Sequence, residues 1–415
     1  MRRLGHSLLI CAILLFCAVA RAGDWTIIKY DGRDHVTLRN VAEFYELGDY
    51  QRSANTLTLG SGGRSLRGTV GSNELYINNL KFVLSYPIEQ VGGEPIVSRM
   101  DLTKVIEPVL RPSRIRDASV IDSVVLDPGH GGYDNGATSV WGYEKTYALD
   151  VAWRAKALLE MQGLRVYMTR TTDEFIPLED RVRFANRHPT ALFIAIHFNS
   201  GGPDANGIET YTLAPRGVPS MAADGPMLSD FRPCAGNVCD GENMALACAT
   251  HASLICHARL FDRGIKRARF VVIRDITIPG VLVEGGFLSN PSDARLIATP
   301  QYRQEEAQCI AIAVRNYRNA VSPASPMLAG RGVVVRDDMN FRGVPPPIGE
   351  PPPAVEKPDV EAAGVAAPPL LHFKPAAAHP IAVEAPKAAP SPDSQPANQA
   401  RYEAGMHSGV TPIVD

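Results

Sequence analysis

The sequence has almost no excess of charge. Its 42 basic and 44 acidic side chains leave a net −2 over 415 residues, with a pI near 6.6. It therefore carries no basic footprint for nucleic acid. Long apolar runs are equally scarce. Beyond the N-terminal stretch, no run reaches the roughly 18 apolar residues of a membrane-spanning helix, so no integral membrane segment is expected in the mature chain. Cysteine is sparse at 7 residues and never occurs as C-x-x-C, which argues against a four-cysteine zinc site. Cys234, Cys239, Cys248, Cys256 and Cys309 lie beyond the N-terminal segment, and an odd number implies a free thiol or an intermolecular bridge. Cys234 and Cys239 bracket a short loop and form a candidate disulfide. The other three sit in apolar, helical contexts that suit buried thiols.

What is present divides the chain into segments. A basic start (Met1-Arg2-Arg3), an apolar run from Leu8 to Ala20 and the A-x-A site Ala20-Arg21-Ala22 read as a signal peptide over residues 1–22. An uncleaved N-terminal anchor is the competing reading. The protein is expected to be exported, to the periplasm or cell envelope. Residues 23–115 show short alternating runs ("TLTL", "SLRGTV", "ELYINN", "KFVLSY") and two helical stretches ("LRNVAEFYEL", "RMDLTKVIEPVL"). This is a small β-rich domain by pattern. It resembles the amine-oxidase N-terminal-like domains of some envelope proteins, and a stalk or wall-contact role is expected. Of 33 prolines, 18 fall in the last 95 residues, so residues 321–415 are expected to form a Pro/Ala-rich disordered tail.

The middle of the chain, residues 120–320, alternates strands with helices and reads as an α/β domain. A mixed, mostly parallel sheet flanked by helices is expected. The expected strands include "VVLDP", "LRVYMTR", "ALFIAIH", "GIETYTLA", "RFVVIR" and "GVLVEGG". In such sheets the site forms beyond the carboxyl ends of the strands. His130 ends the first strand among glycines, Glu144 opens the first helix, and His197 ends an apolar strand. Two imidazoles and a carboxylate are a ligand set of catalytic zinc, with a fourth position left for water. Their separations fit no short metal motif. A turn histidine, a helix-start glutamate favoured by the dipole and a satisfied core histidine would look the same. Glu284, at the end of "GVLVE", is the candidate general base, against the alternative of a strand-end carboxylate paired with an arginine. Asp127 is a candidate to orient His130, or an ordinary turn starter.

Taken together, "DPGHGGYDNGA", "GYEK", "VYMTRTTD", "RVRFAN", "FIAIHFNS", "GIETYTL", "DRGIKRARFVVIR" and "VLVEGGFLSN" resemble the amidase-3 family of zinc-dependent N-acetylmuramoyl-L-alanine amidases, in order from about Val124 to Tyr317. The resemblance implies a zinc amidase (phosphorylase/hydrolase-like) fold, Zn2+ as cofactor and peptidoglycan as substrate. It also implies His130, Glu144 and His197 as metal ligands, Glu284 as the catalytic residue and Asn199 beside the metal, holding substrate. The implied reaction cuts the amide between the lactyl group of muramic acid and L-alanine, with use in cell separation or wall turnover. Some members are blocked by an inserted helix until an activator protein binds, which makes an activator a further expected partner. Here the corresponding segment, "RGVPSMAADGPMLSDFRPCAGNVCDGEN", is Gly/Pro-rich. It reads as a rim loop pinned by Cys234–Cys239, with a self-inhibiting plug as the lesser reading. Three rivals stay open: a catalytically silent peptidoglycan-binding protein, an envelope scaffold, and a zinc peptidase acting on another wall amide.

Overall fold

A computed structural model describes residues 25–322 apart from 49, 203, 224, 225 and 259. The expected signal peptide and nearly all of the expected tail lie outside the described residues. From Ser123 onward, six strands form the heart of a mixed sheet: β1 (Ser123–Pro128), β2 (Arg165–Met168), β3 (Ala191–Asn199), β4 (Ile208–Leu213), β5 (Asp262–Ala268) and β6 (Gly280–Phe287). Their order is β2-β1-β3-β6-β4-β5. The first four strands in that order run parallel, whereas β4 is antiparallel to β6 and parallel to β5. The buried runs in β1 and β3 match strands covered on both faces.

The period-2 alternation of strands sends neighbouring residues to opposite faces. Val124, Leu126, Leu192, Ile194, Val281 and Val283 join the core under α1 (Glu144–Met161), α3 (Asp240–Ala258) and α5 (Pro300–Val321). Val125, Phe193, Ala195 and Leu282 face the other way, into a smaller core with residues of α2 (Leu178–Ala185) and α4 (Val271–Arg274). "RFVVIR" is thus not a strand. The strand ends at Ala268 and the apolar run makes one helical turn, an ambiguity that a short apolar run leaves to tertiary packing.

The N-terminal residues build two sheets. One is four-stranded, in the order Ile27–Tyr30, Arg33–Thr37, Glu94–Ser98, Glu89–Val91. The other continues the large sheet, because Phe82 in Leu80–Val83 pairs in parallel with Ile265 of β5. Arg267 of β5 faces Asp101 at 3.8 Å, Lys104 pairs with Asp240 at 2.8 Å, and the Tyr86 hydroxyl donates to the Gly217 carbonyl at 3.2 Å. Both halves therefore share one contiguous core.

The segment from Arg216 to Asn243 differs from its expected place. Because β4 runs against β6, Leu213 ends at the edge where β6 begins, opposite Glu284, and the segment leaves the sheet there. Arg269 pins it, donating to the carbonyls of Pro215, Val218 and Asp230, to the Asp230 carboxylate and to the Cys234 sulfur. Cys234 and Cys239 are both free thiols, and Cys239 turns instead to the Thr277 carbonyl. The pin is a buried arginine, not a disulfide.

Candidate metal centre

The turn after β1 is held in an unusual shape. His130 has φ +60°, a left-handed conformation that costs a non-glycine residue free energy unless its surroundings enforce it. Two buried arginines supply the enforcement. Arg170 donates to the carbonyls of Pro128 (3.0 Å), Gly129 (2.8 Å) and Lys145 (2.7 Å). Arg181 donates to the carbonyls of Pro128 (2.8 Å) and His130 (2.7 Å) and to Asp127 Oδ1 (2.7 Å). Two glycines let the rest close in. A Cβ at Gly129 would collide with the His197 ring, and one at Gly136 with His130 and Glu144.

The result gathers His130, Glu144 and His197. One ligand atom from each lies within 4.8 Å of the others. Glu144 Oε1 is 3.0 Å from His130 Nε2 and 2.8 Å from His197 Nδ1, and it accepts the Phe198 amide at 3.1 Å. Its other oxygen accepts the Ala137 amide at 2.7 Å. The back of His130 is held through Nδ1 by Asp134 Oδ2 at 2.8 Å. Asp127, expected in that role, is engaged by Arg181 and Thr169 instead, because a buried carboxylate takes the strongest donor within reach.

Glu284 completes the group. In the sheet it lies in register with His197 on one side and Glu209 on the other, so all three side chains leave the same face. It is buried, and its Oε2 has no hydrogen-bond partner in the protein. Glu209 is the opposite case: Lys266 (2.6 Å), Arg263, the Tyr211 hydroxyl (2.7 Å) and Asn199 Nδ2 (3.3 Å) all donate to it. Asn199 therefore stands at the edge of this cluster, with its amide turned to Glu209.

The electrostatics follow. Burial alone would lower the pKa of His130, but the Glu144 and Asp134 carboxylates outweigh it and push the pKa up to about 10. Burial would raise Glu144, yet the two facing imidazoles hold it well below the carboxylate range. Glu284 is pushed well above that range by burial and by the charges of Glu144 and Glu209. Two imidazoles and a carboxylate that converge in a buried pocket suit a divalent cation. Bonds of about 2.0–2.2 Å to zinc would place tetrahedral donors roughly 3.3 Å apart, close to the 3.0 and 2.8 Å that separate Glu144 Oε1 from the two imidazole nitrogens. Asp134, Arg170, Arg181 and Glu209 were not singled out in the sequence. Only Asp134, four residues after His130, had a local signal.

Residues 124–316 match the amidase-3 family, described as N-acetylmuramoyl-L-alanine amidase. The chain is similar to the N-acetylmuramoyl-L-alanine amidase AmiA of Salmonella typhimurium, at 34% identity over 219 residues, covering 47% of this chain and 75% of the relative. The AmiA of Escherichia coli K12 matches with the same identity and the same shares. Among solved structures, the catalytic domain of CwlV, an N-acetylmuramoyl-L-alanine amidase from Paenibacillus polymyxa, is 31% identical, with 48% of this chain and 98% of that one covered and a TM-score of 0.40.

Proposed function

The chain belongs to the amidase-3 family of N-acetylmuramoyl-L-alanine amidases, peptidoglycan hydrolases, and on that premise we propose that His130, Glu144 and His197 hold a zinc ion and that Glu284 is the base of the reaction. The bond cut joins the lactyl group of N-acetylmuramic acid to L-alanine of the stem peptide. Bound at these residues, zinc supplies a Lewis acid for the carbonyl and brings the pKa of a water down towards about 7. Asp134 fixes the His130 ring so that Nε2 points into the site, and the Phe198 and Ala137 amides fix Glu144. Glu284 takes a proton from the attacking water. The water oxygen adds to the lactyl carbonyl carbon, the C–N bond breaks, and the proton passes from Glu284 to the departing L-alanine nitrogen. A buried carboxyl whose pKa is raised suits a group that both takes and returns a proton. Asn199, at the edge of the Glu209 cluster, is read as a substrate contact.

One observation carries this reading: a buried glutamate with an unpartnered oxygen stands in sheet register beside a histidine of the metal-binding set. The division into signal peptide, N-terminal β-rich region, catalytic region 120–320 and tail belongs to the same proposal. So does export to the envelope, where the substrate lies. The test incubates the mature protein with isolated sacculi and scores new L-alanine N-termini by mass spectrometry. Release should stop with a chelator, return with zinc, and fall about 10²–10⁴-fold in Glu284→Ala. Undiminished release by Glu284→Ala would overturn its role.

A further inference from the structure

We propose that the aromatic rim beside His130 is a saccharide subsite, in which Tyr133, stacked on Phe175, offers a flat apolar face to a pyranose ring of the glycan strand. This rests on the amidase reading and adds which flank of the site takes the sugar.

Tyr133 is 81% exposed and Phe175 38%. Their rings stack at 4.4 Å between centroids, 29° from parallel. A single exposed aromatic needs no explanation, whereas a paired, rigid one beside a site does. Rigidity comes from the two loops that carry the rings. Gly131 and Asp134 exchange backbone hydrogen bonds at 3.0 and 3.1 Å. Lys145 Nζ donates to the Gly132 carbonyl at 2.6 Å and to Asp173 at 2.9 Å, and the Gly132 amide donates to Asp173 at 2.8 Å. Gly131 and Gly132, at φ +129° and +60°, lie so close to the Glu174–Phe175 backbone that a Cβ on either would collide with it. The two loops therefore act as one body, and the platform is formed before any ligand arrives, which removes an ordering cost from binding.

Position makes the ligand a sugar. Three residues of chain reach no further than about 11 Å, so Tyr133 lies within that distance of His130. The scissile carbonyl belongs to a lactyl group attached directly to the muramic acid ring, so a sugar must lie beside the site. The two flanks differ. Along the edge of the sheet stand, in order, the platform after β2, His130 after β1, His197 on β3, Glu284 on β6, Glu209 on β4, and Arg263 with Lys266 on β5. At the far end Arg263 and Lys266 are paired with Glu209, a charged cluster suited to the polar groups of the peptide. The aromatic end suits the C–H face of a pyranose, which packs against a π surface and excludes water there.

The test titrates peptide-free oligomers of alternating N-acetylglucosamine and N-acetylmuramic acid into the full chain. Tyr133→Ala should weaken binding about tenfold, Phe175→Ala should weaken it less, and Tyr133→Trp should keep it. Melting temperatures should not move, because Tyr133 is exposed, and affinity for free stem peptide should not change. Equal glycan affinity in Tyr133→Ala and the parent, an equal loss for glycan and peptide, or no binding by the parent at millimolar oligomer would overturn the subsite. A parallel sacculus assay separates the two readings. Glycan binding that responds as expected, with no L-alanine N-termini released, supports the platform and overturns hydrolysis by the chain alone. Release with glycan binding indifferent to both rings refutes the platform alone.

Discussion

Two buried carboxylates, one in each half of the molecule, have opposite surroundings. Asp101 in the N-terminal region is 0% exposed. It accepts the amides of Ser85 (2.7 Å) and Tyr86 (3.2 Å) and the Ser98 hydroxyl (2.7 Å), and it faces Arg267 of β5. Glu284 is 3% exposed, and its Oε2 has no partner. Nearly equal burial thus serves two ends. At Asp101 the charge is satisfied and ties the N-terminal strands to the large sheet. At Glu284 it is left wanting, beside the cluster of His130, Glu144 and His197. Burying a charge is costly unless it is paired, so an orphan that converges with two imidazoles and a second carboxylate calls for an explanation that Asp101 does not.

The sharpest break of that comparison is thermodynamic. Asp101→Asn should lower the unfolding free energy by about 2–3 kcal/mol, because donors aimed at a carboxylate lose part of their acceptor. Glu284→Gln should leave it unchanged or raise it, since the substitution removes an unsatisfied ionisable group. Urea unfolding of both variants with the parent decides it. A comparable loss in both would mean that Glu284 is structural. A second effect separates two acids near His130. Asp134→Asn should weaken zinc affinity about 10–100-fold, as loss of a ligand's orienting partner does, measured by competition with a chelating dye. Asp127→Asn should act chiefly on stability, through Arg181.

The difference between these residues also marks what the sequence could reveal. His130, His197 and Glu284 were legible because each follows an apolar run of a strand, and such strands in an α/β sheet deliver residues towards one edge. Asp134 and the arginine clamps were less so, because long side chains that cross between loops obey tertiary geometry rather than local pattern. Asp127 looked like the partner of His130 until Arg181, 54 residues away, took it. The segment after Leu213 was assigned to the site's rim because the direction of β4 is invisible in its own residues. One antiparallel strand moved the segment to the opposite edge. The continuity of the sheet through Phe82 and Ile265 was hidden for the same reason, since strand pairing across more than a hundred residues leaves no periodic trace.

Glu306 tests whether an orphaned, buried carboxyl is enough to mark function. It is 1% exposed, and neither oxygen has a hydrogen-bond partner in the protein. It lies against Gly285, directly behind Glu284, where the Tyr302 hydroxyl also donates to the Gly285 carbonyl at 2.6 Å. Yet it sits on the helix Pro300–Val321, packed on the face of the sheet opposite to the one that His197 and Glu284 leave. Burial pushes its pKa from 4.5 to about 8. The folded chain therefore holds a proton there that the unfolded chain has lost, and stability falls as pH rises from about 4.5 through about 8. Glu306→Gln cannot ionise, so it should gain on the order of 1–3 kcal/mol over the parent at pH 9 and nothing at pH 4.5, read by urea unfolding. Hydrolysis of sacculi at pH 7 should stay near the parent's rate. A collapse of activity without a loss of stability would join Glu306 to the machinery. In that case orphan burial alone would mark function, and the convergence of Glu284 with His197 and Glu209 would cease to be the distinguishing feature.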